Sequence, residues 1–79
     1  MESNKIIYSI FMDEDNLNIE IRKFLKKVGI SSQRIIETNV KSKFLNGDID
    51  IDVEIELEMK LSIKNFQQEH IVADRIKIK

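Results

Sequence analysis

The sequence predicts an α+β domain, a two-helix hairpin packed on a small antiparallel β-sheet of two or three strands. Three observations carry that reading. Ile49, Ile51, Val53, Ile55, Leu57, Met59, Leu61 and Ile63 alternate with polar residues without interruption, the period of a strand with one buried face. Leu17, Ile21, Phe24, Leu25 and Val28 recur at helical spacing. Val72, Ile76 and Ile78 share one parity near the end of the chain, and Arg75, Lys77 and Lys79 share the other.

The segment Lys5 to Phe11 is rich in β-branched and aromatic residues, so residues 1–11 read as an N-terminal extension or an edge strand. The first helix begins after it, with Asp13 or Asp15 as N-cap. Acids at its start and Lys26 and Lys27 at its end suit the helix dipole. Gly29 is placed to end it in the left-handed conformation. Ile30-Ser31-Ser32 then opens a second helix, with one serine as N-cap and Ile36, Val40 and Phe44 on its apolar stripe. Asn46-Gly47 closes that helix.

A strand from Ile49 to Ile63 would run about 50 Å at 3.3 Å per residue, much longer than usual. The reading therefore includes a bend, bulge or break around Asp50 to Val53. A return strand from Ile71 to Ile78, folded back with Ile63 opposite His70, places Leu61 opposite Val72, Leu57 opposite Ile76 and Ile55 opposite Ile78. The same register sets Glu58 against Arg75, Glu56 against Lys77 and Glu54 against Lys79. The expected core is Phe24, Leu25, Val28, Ile36, Val40, Phe44, Leu57, Leu61 and Ile76.

The 79 residues read as a single domain, 1–79, near the lower size limit for a self-sufficient core. The chain has no cysteine and one histidine, His70, so disulfides and a structural metal are not available to reinforce that core. The apolar run Ile6 to Met12 is too short to span a bilayer, and the expectation is a soluble, cytoplasmic protein that engages no membrane.

Chemistry-bearing patterns are few. Gly29 and Gly47 are too few and too far apart to cradle a phosphate. Asp48, Asp50 and Asp52 mimic the start of a calcium loop, but Val53 stands where its glycine belongs and Met59 where its closing glutamate belongs. On a strand their carboxylates would lie about 6.6 Å apart, a poor chelate. A solvated face that resists edge-to-edge pairing accounts for them better. Glu69 and His70 point to opposite faces of a strand, which argues against an acid–base pair. Catalytic, cofactor and metal sites are all read as none, and the protein is not expected to be an enzyme.

Net charge is −1, yet the charge is segregated. Residues 21–36 hold Arg22, Lys23, Lys26, Lys27 and Arg34 with no acid, and residues 48–58 hold six acids with no base. Two helices joined near Gly29 and followed by a hairpin suggest a helix-turn-helix with a wing. Arg22, Lys23, Lys26, Lys27, Gln33 and Arg34 would then be its nucleic-acid contacts. The acidic strand would repel the phosphate backbone, and no third helix supports the pair. The favoured expectation is a small non-catalytic protein-interaction or self-assembly module. Its partner is itself as a homodimer, or another protein.

The run Asn18-Ile19-Glu20-Ile21-Arg22-Lys23-Phe24-Leu25-Lys26-Lys27-Val28-Gly29-Ile30-Ser31-Ser32-Gln33-Arg34 resembles the N-terminal signature of a family of short uncharacterised bacterial proteins, a domain of unknown function. Its members begin near the position of Met12 and end in segments like Leu57 to Ile63 and Glu69 to Ile78. The resemblance implies a fold and a cellular class, and it brings no activity with it.

Overall fold

A computed structural model describes residues 12–79. The expected strand at Lys5 to Phe11 lies outside the described residues. Among the described residues come one helix, α1 (Glu14–Leu45), and two strands, β1 (Glu54–Ile63) and β2 (Gln68–Lys77). The fold is α+β, but the two-helix hairpin is replaced by a single helix of 32 residues. The chain divides into two compact units, one ending at Val40 and the other Lys41–Lys79.

Of the two expected N-caps, Asp13 is the one that caps helix α1, and Asp15 lies inside it. Asp13 Oδ1 accepts from the Asn16 backbone N–H at 3.0 Å, and the Asp13 carbonyl accepts from Leu17 N–H at 3.0 Å. Glu14 and Asp15 place negative charge in the first turn, against the positive end of the dipole. The expected stop at Gly29 does not occur. A glycine in a helix interior costs about 1 kcal/mol against alanine but keeps its N–H and C=O in the ladder, and no proline follows to break it. The serines expected to cap a second helix are interior residues. Ser31 Oγ donates back to the carbonyls of Lys27 at 2.9 Å and Val28 at 3.3 Å, which occupies its hydroxyl without interrupting the backbone bonds. Asn39 does the same toward the Ile35 carbonyl at 2.8 Å.

The stop falls at Asn46-Gly47. Gly47 has φ 78°, its N–H reaches the Phe44 carbonyl at 3.1 Å, and Asp48 N–H reaches the Lys43 carbonyl at 2.9 Å. Together these form a Schellman motif. Lys43 Nζ lies 3.7 Å from Asp48 Oδ2 across the same turn.

Alternation continues from Ile49 to Val53, but the strand does not. Val53 N–H bonds to the Asp50 carbonyl at 3.2 Å in a turn, and β1 begins at Glu54. The anticipated break is therefore present, and Asp48, Asp50 and Asp52 precede the ladder. Strands β1 and β2 pair antiparallel in a register displaced by two residues from the expected one. Leu57 faces Asp74 rather than Ile76, Leu61 faces His70 rather than Val72, and Glu56 faces Arg75 rather than Lys77. The cause is the connection. Phe66 N–H bonds to the Ile63 carbonyl at 3.2 Å, and Gln67 takes φ 54°, so Lys64 to Gln67 closes the hairpin and Ile63 pairs with Gln68. This shorter loop has the smaller closure entropy and brings Gln68 and Glu69 into the ladder. A slip of two preserves parity, so the apolar side chains of each strand stay on their expected face. Across the other face Arg75 Nη2 meets Glu56 Oε1 at 3.2 Å, and Lys60 Nζ meets Glu69 Oε2 at 3.1 Å on the diagonal.

The expected core does not form within the described residues, where no side chain is buried. Val28, Ile36, Val40 and Leu57 are half-buried, whereas Phe24, Leu25, Phe44, Leu61 and Ile76 are exposed. Two substitutions test these corrections. Nothing lies within 4 Å of a Cβ added at Gly29, so Gly29→Ala should stabilise the helix by about 1 kcal/mol. A lower helical melting temperature by circular dichroism would instead place Gly29 in a left-handed cap. Gln67→Gly should relieve the positive φ and stabilise the hairpin by up to about 1 kcal/mol in urea unfolding. A loss there would argue for the longer loop and the original register.

Candidate interaction surface

Helix α1 spans about 48 Å at 1.5 Å per residue, and its residues sort by angle at about 100° per residue. Leu17, Ile21, Phe24, Val28 and Ile35 fall within about 60° of one another along one side. All but the half-buried Val28 are large apolar groups in the open; Phe24 is 53% and Ile35 62% exposed. Val28, Ser32, Ile36 and Val40 follow one another at four-residue steps beside that stripe and are the half-buried members of the helix.

The six residues proposed for nucleic acid share the opposite side. Arg22, Gln33 and Lys26, then Lys23, Arg34 and Lys27, fill an arc of about 140° centred away from Leu17 and Val28. All six are exposed. Lys23 Nζ lies 3.6 Å from Glu20 Oε1 one turn back, and Gln33 Nε2 donates to Glu37 Oε1 at 3.0 Å. Arg22, Lys26, Lys27 and Arg34 pair with no carboxylate among the described residues. The structure brings the basic residues together on one face but removes the turn that a helix-turn-helix requires. Gln33 and Arg34 lie in mid-helix, with no recognition-helix N-terminus to present them. The helix-turn-helix reading is withdrawn on that ground. Finding the continuous helix from sequence required weighing the absence of proline above the presence of Gly29.

The hairpin also has two unlike faces. Ile55, Leu57, Met59, Leu61 and Ile63 of β1 share a face with Val72 and Ile76 of β2. His70 and Asp74 stand among them, since they share the parity of Val72 and Ile76. The other face carries Glu54, Glu56, Glu58, Arg75 and Lys77. Glu69 and His70 are on opposite faces, and Glu69 is engaged by Lys60. Depressions on the hairpin are open, one lined by Glu56, Leu57, Arg75 and their neighbours, the other by residues around the Lys64 to Gln67 turn. Among the described residues no group of three or more His, Asp or Glu side chains is arranged to hold a metal ion. Nor is any described helix long and apolar enough to cross a membrane.

The surface therefore offers apolar area rather than converging polar groups. A family model matches residues 12–79, and the chain belongs to that family, a family of unknown function, DUF6494. No curated protein and no solved structure matches the chain.

Proposed function

We propose that this member of the family is a small non-catalytic interaction module that completes its fold by self-association, most simply as a symmetric dimer. One observation carries the reading. The helix and the hairpin are each amphipathic, yet none of their apolar side chains is buried among the described residues. An amphipathic element gains its stability by covering its apolar side, and helical propensity alone is a weak substitute. Ordering each residue costs about 1–2 kcal/mol of backbone entropy, so an uncovered helix and a lone two-stranded ladder have little to set against it. A partner that covers both faces supplies the missing term.

A second copy is the simplest such partner, because among the described residues each strand of the two-stranded sheet has an unpaired edge. The reading assigns no chemistry to the surface. Arg22, Lys26, Lys27 and Arg34 serve as charged groups that orient a partner.

Association stabilises the folded state alone, so the melting temperature should rise with protein concentration, and light scattering should report a mass above that of the monomer. Phe24→Ala should weaken this self-association, since a phenyl ring buried in an interface contributes several kcal/mol while an exposed one contributes little. A monomeric mass with concentration-independent melting would defeat the proposal.

A further inference from the structure

Because α1 runs unbroken through Gly29, a single seam can be followed along its whole length. Leu17, Ile21, Phe24, Val28, Ser31, Ile35, Thr38, Ser42 and Leu45 succeed one another at alternating steps of four and three. Their mean spacing of about 3.5 residues is that of a helix packed against a partner helix in a left-handed pair. Up to Val28 the seam is bulky and apolar; from Ser31 to Ser42 small hydroxyl side chains alternate with Ile35.

We infer that two copies of this chain pair through α1 in antiparallel orientation, with the twofold axis near Gly29 and Ile30. The inference rests on the self-association proposed above and specifies its geometry.

Two independent features select this orientation. The first is volume. About an axis between Gly29 and Ile30, Leu17 faces Ser42, Ile21 faces Thr38, Phe24 faces Ile35 and Val28 faces Ser31. In three of these four layers a bulky residue meets a small one, which is how facing helices interdigitate without voids. A parallel in-register pair would set Ser31, Thr38 and Ser42 each against its own copy, leaving polar, poorly filled layers between crowded ones.

The second feature is charge. Residues 14–20 carry Glu14, Asp15 and Glu20 with no base, and residues 41–45 carry Lys41 and Lys43 with no acid. Residues 22–27 carry Arg22, Lys23, Lys26 and Lys27 with no acid. The antiparallel pair sets the acidic end of each copy beside the basic end of the other. It sets the basic block beside residues 32–37, where Arg34 and Glu37 cancel and Glu37 stands opposite Arg22. A parallel pair would oppose each block to its own sign, the basic block most severely. Like-charge juxtaposition of that kind discriminates against a wrong orientation. The helix dipoles also oppose in the antiparallel pair.

The absence of cysteine makes orientation directly measurable. Leu17→Cys, Ser42→Cys and the double variant would each be treated with a short bismaleimide in the full chain. Leu17 and Ser42 lie about 38 Å apart along one helix, so neither can reach the other within a copy. The antiparallel pair should yield a covalent dimer from the double variant and none from either single variant. Glu20→Cys with Asn39→Cys, which flank the seam, repeat the test if Leu17→Cys loses helicity. Efficient dimer from the single variants would overturn the antiparallel orientation while leaving self-association intact. A monomeric mass for the unmodified chain at every concentration would show that the underlying self-association had failed.

Discussion

The constraint that governs this chain is the disposal of apolar surface. Its hydrophobic residues are numerous enough for a core, at 42% of the sequence, but they are arranged as faces of separate elements. A small domain usually folds such faces onto one another. Here the described residues bury none of them, and the sequence has no cysteine with which to form a disulfide. Everything proposed for the molecule follows from that deficit. An apolar stripe about 27 Å long, from Leu17 to Ile35, is costly to leave in water and well suited to a matching stripe.

Gly29 decides which surface results. Had the helix ended there, Phe24 and Ile36 would lie on separate helices able to close on each other, and Gln33 with Arg34 would open the second of them. The continuous ladder removes that option, because two positions on one continuous helix cannot fold together. It also aligns the basic residues on one side and carries the apolar stripe across the midpoint. The serines support this outcome. Ser31 occupies its hydroxyl with carbonyls one turn back, so the helix gains no alternative bonding pattern that would favour a break.

Legibility in the sequence follows how local the deciding physics is. The Asp13 cap and the Asn46-Gly47 stop were readable because each depends on a few adjacent residues and a hydrogen bond within one turn. The break before Val53 was readable from length alone. Strand parity was readable because it is a property of each strand by itself. Gly29 was misread because glycine is compatible with both a left-handed cap and a helix interior, and the choice depends on whether tertiary contacts reward a turn. The register was misread by two because pairing rules favoured Leu57 against Ile76, whereas the loop at Lys64 to Gln67 closed sooner with Gln67 at positive φ. Gln is an uncommon occupant of that conformation, and no glycine marked the site. Of the candidate site, the six polar residues lie on one side of the continuous helix. Their proposed geometry failed with the turn.

Apolar surface and charge have different work in such an assembly. Burial is nearly indifferent to direction, so a stripe of Leu17, Ile21, Phe24 and Val28 would bind a copy in either sense if apolar contact were the whole story. Direction comes from terms that change sign when one helix is reversed. The acidic start, the basic middle and the lysines near the end of α1 form such a series. The bulky and small halves of the seam form a second, and both favour the same orientation. The proposed pair would also account for a charge so segregated while its sum is close to zero. An even mixture would leave the two orientations nearly equal in energy, whereas blocks separated along a rigid helix penalise the wrong one at several points. The hairpin has the same division between an apolar face and a charged one, and there Glu56 meets Arg75 across the strands as the helix blocks would meet their opposites in the proposed pair.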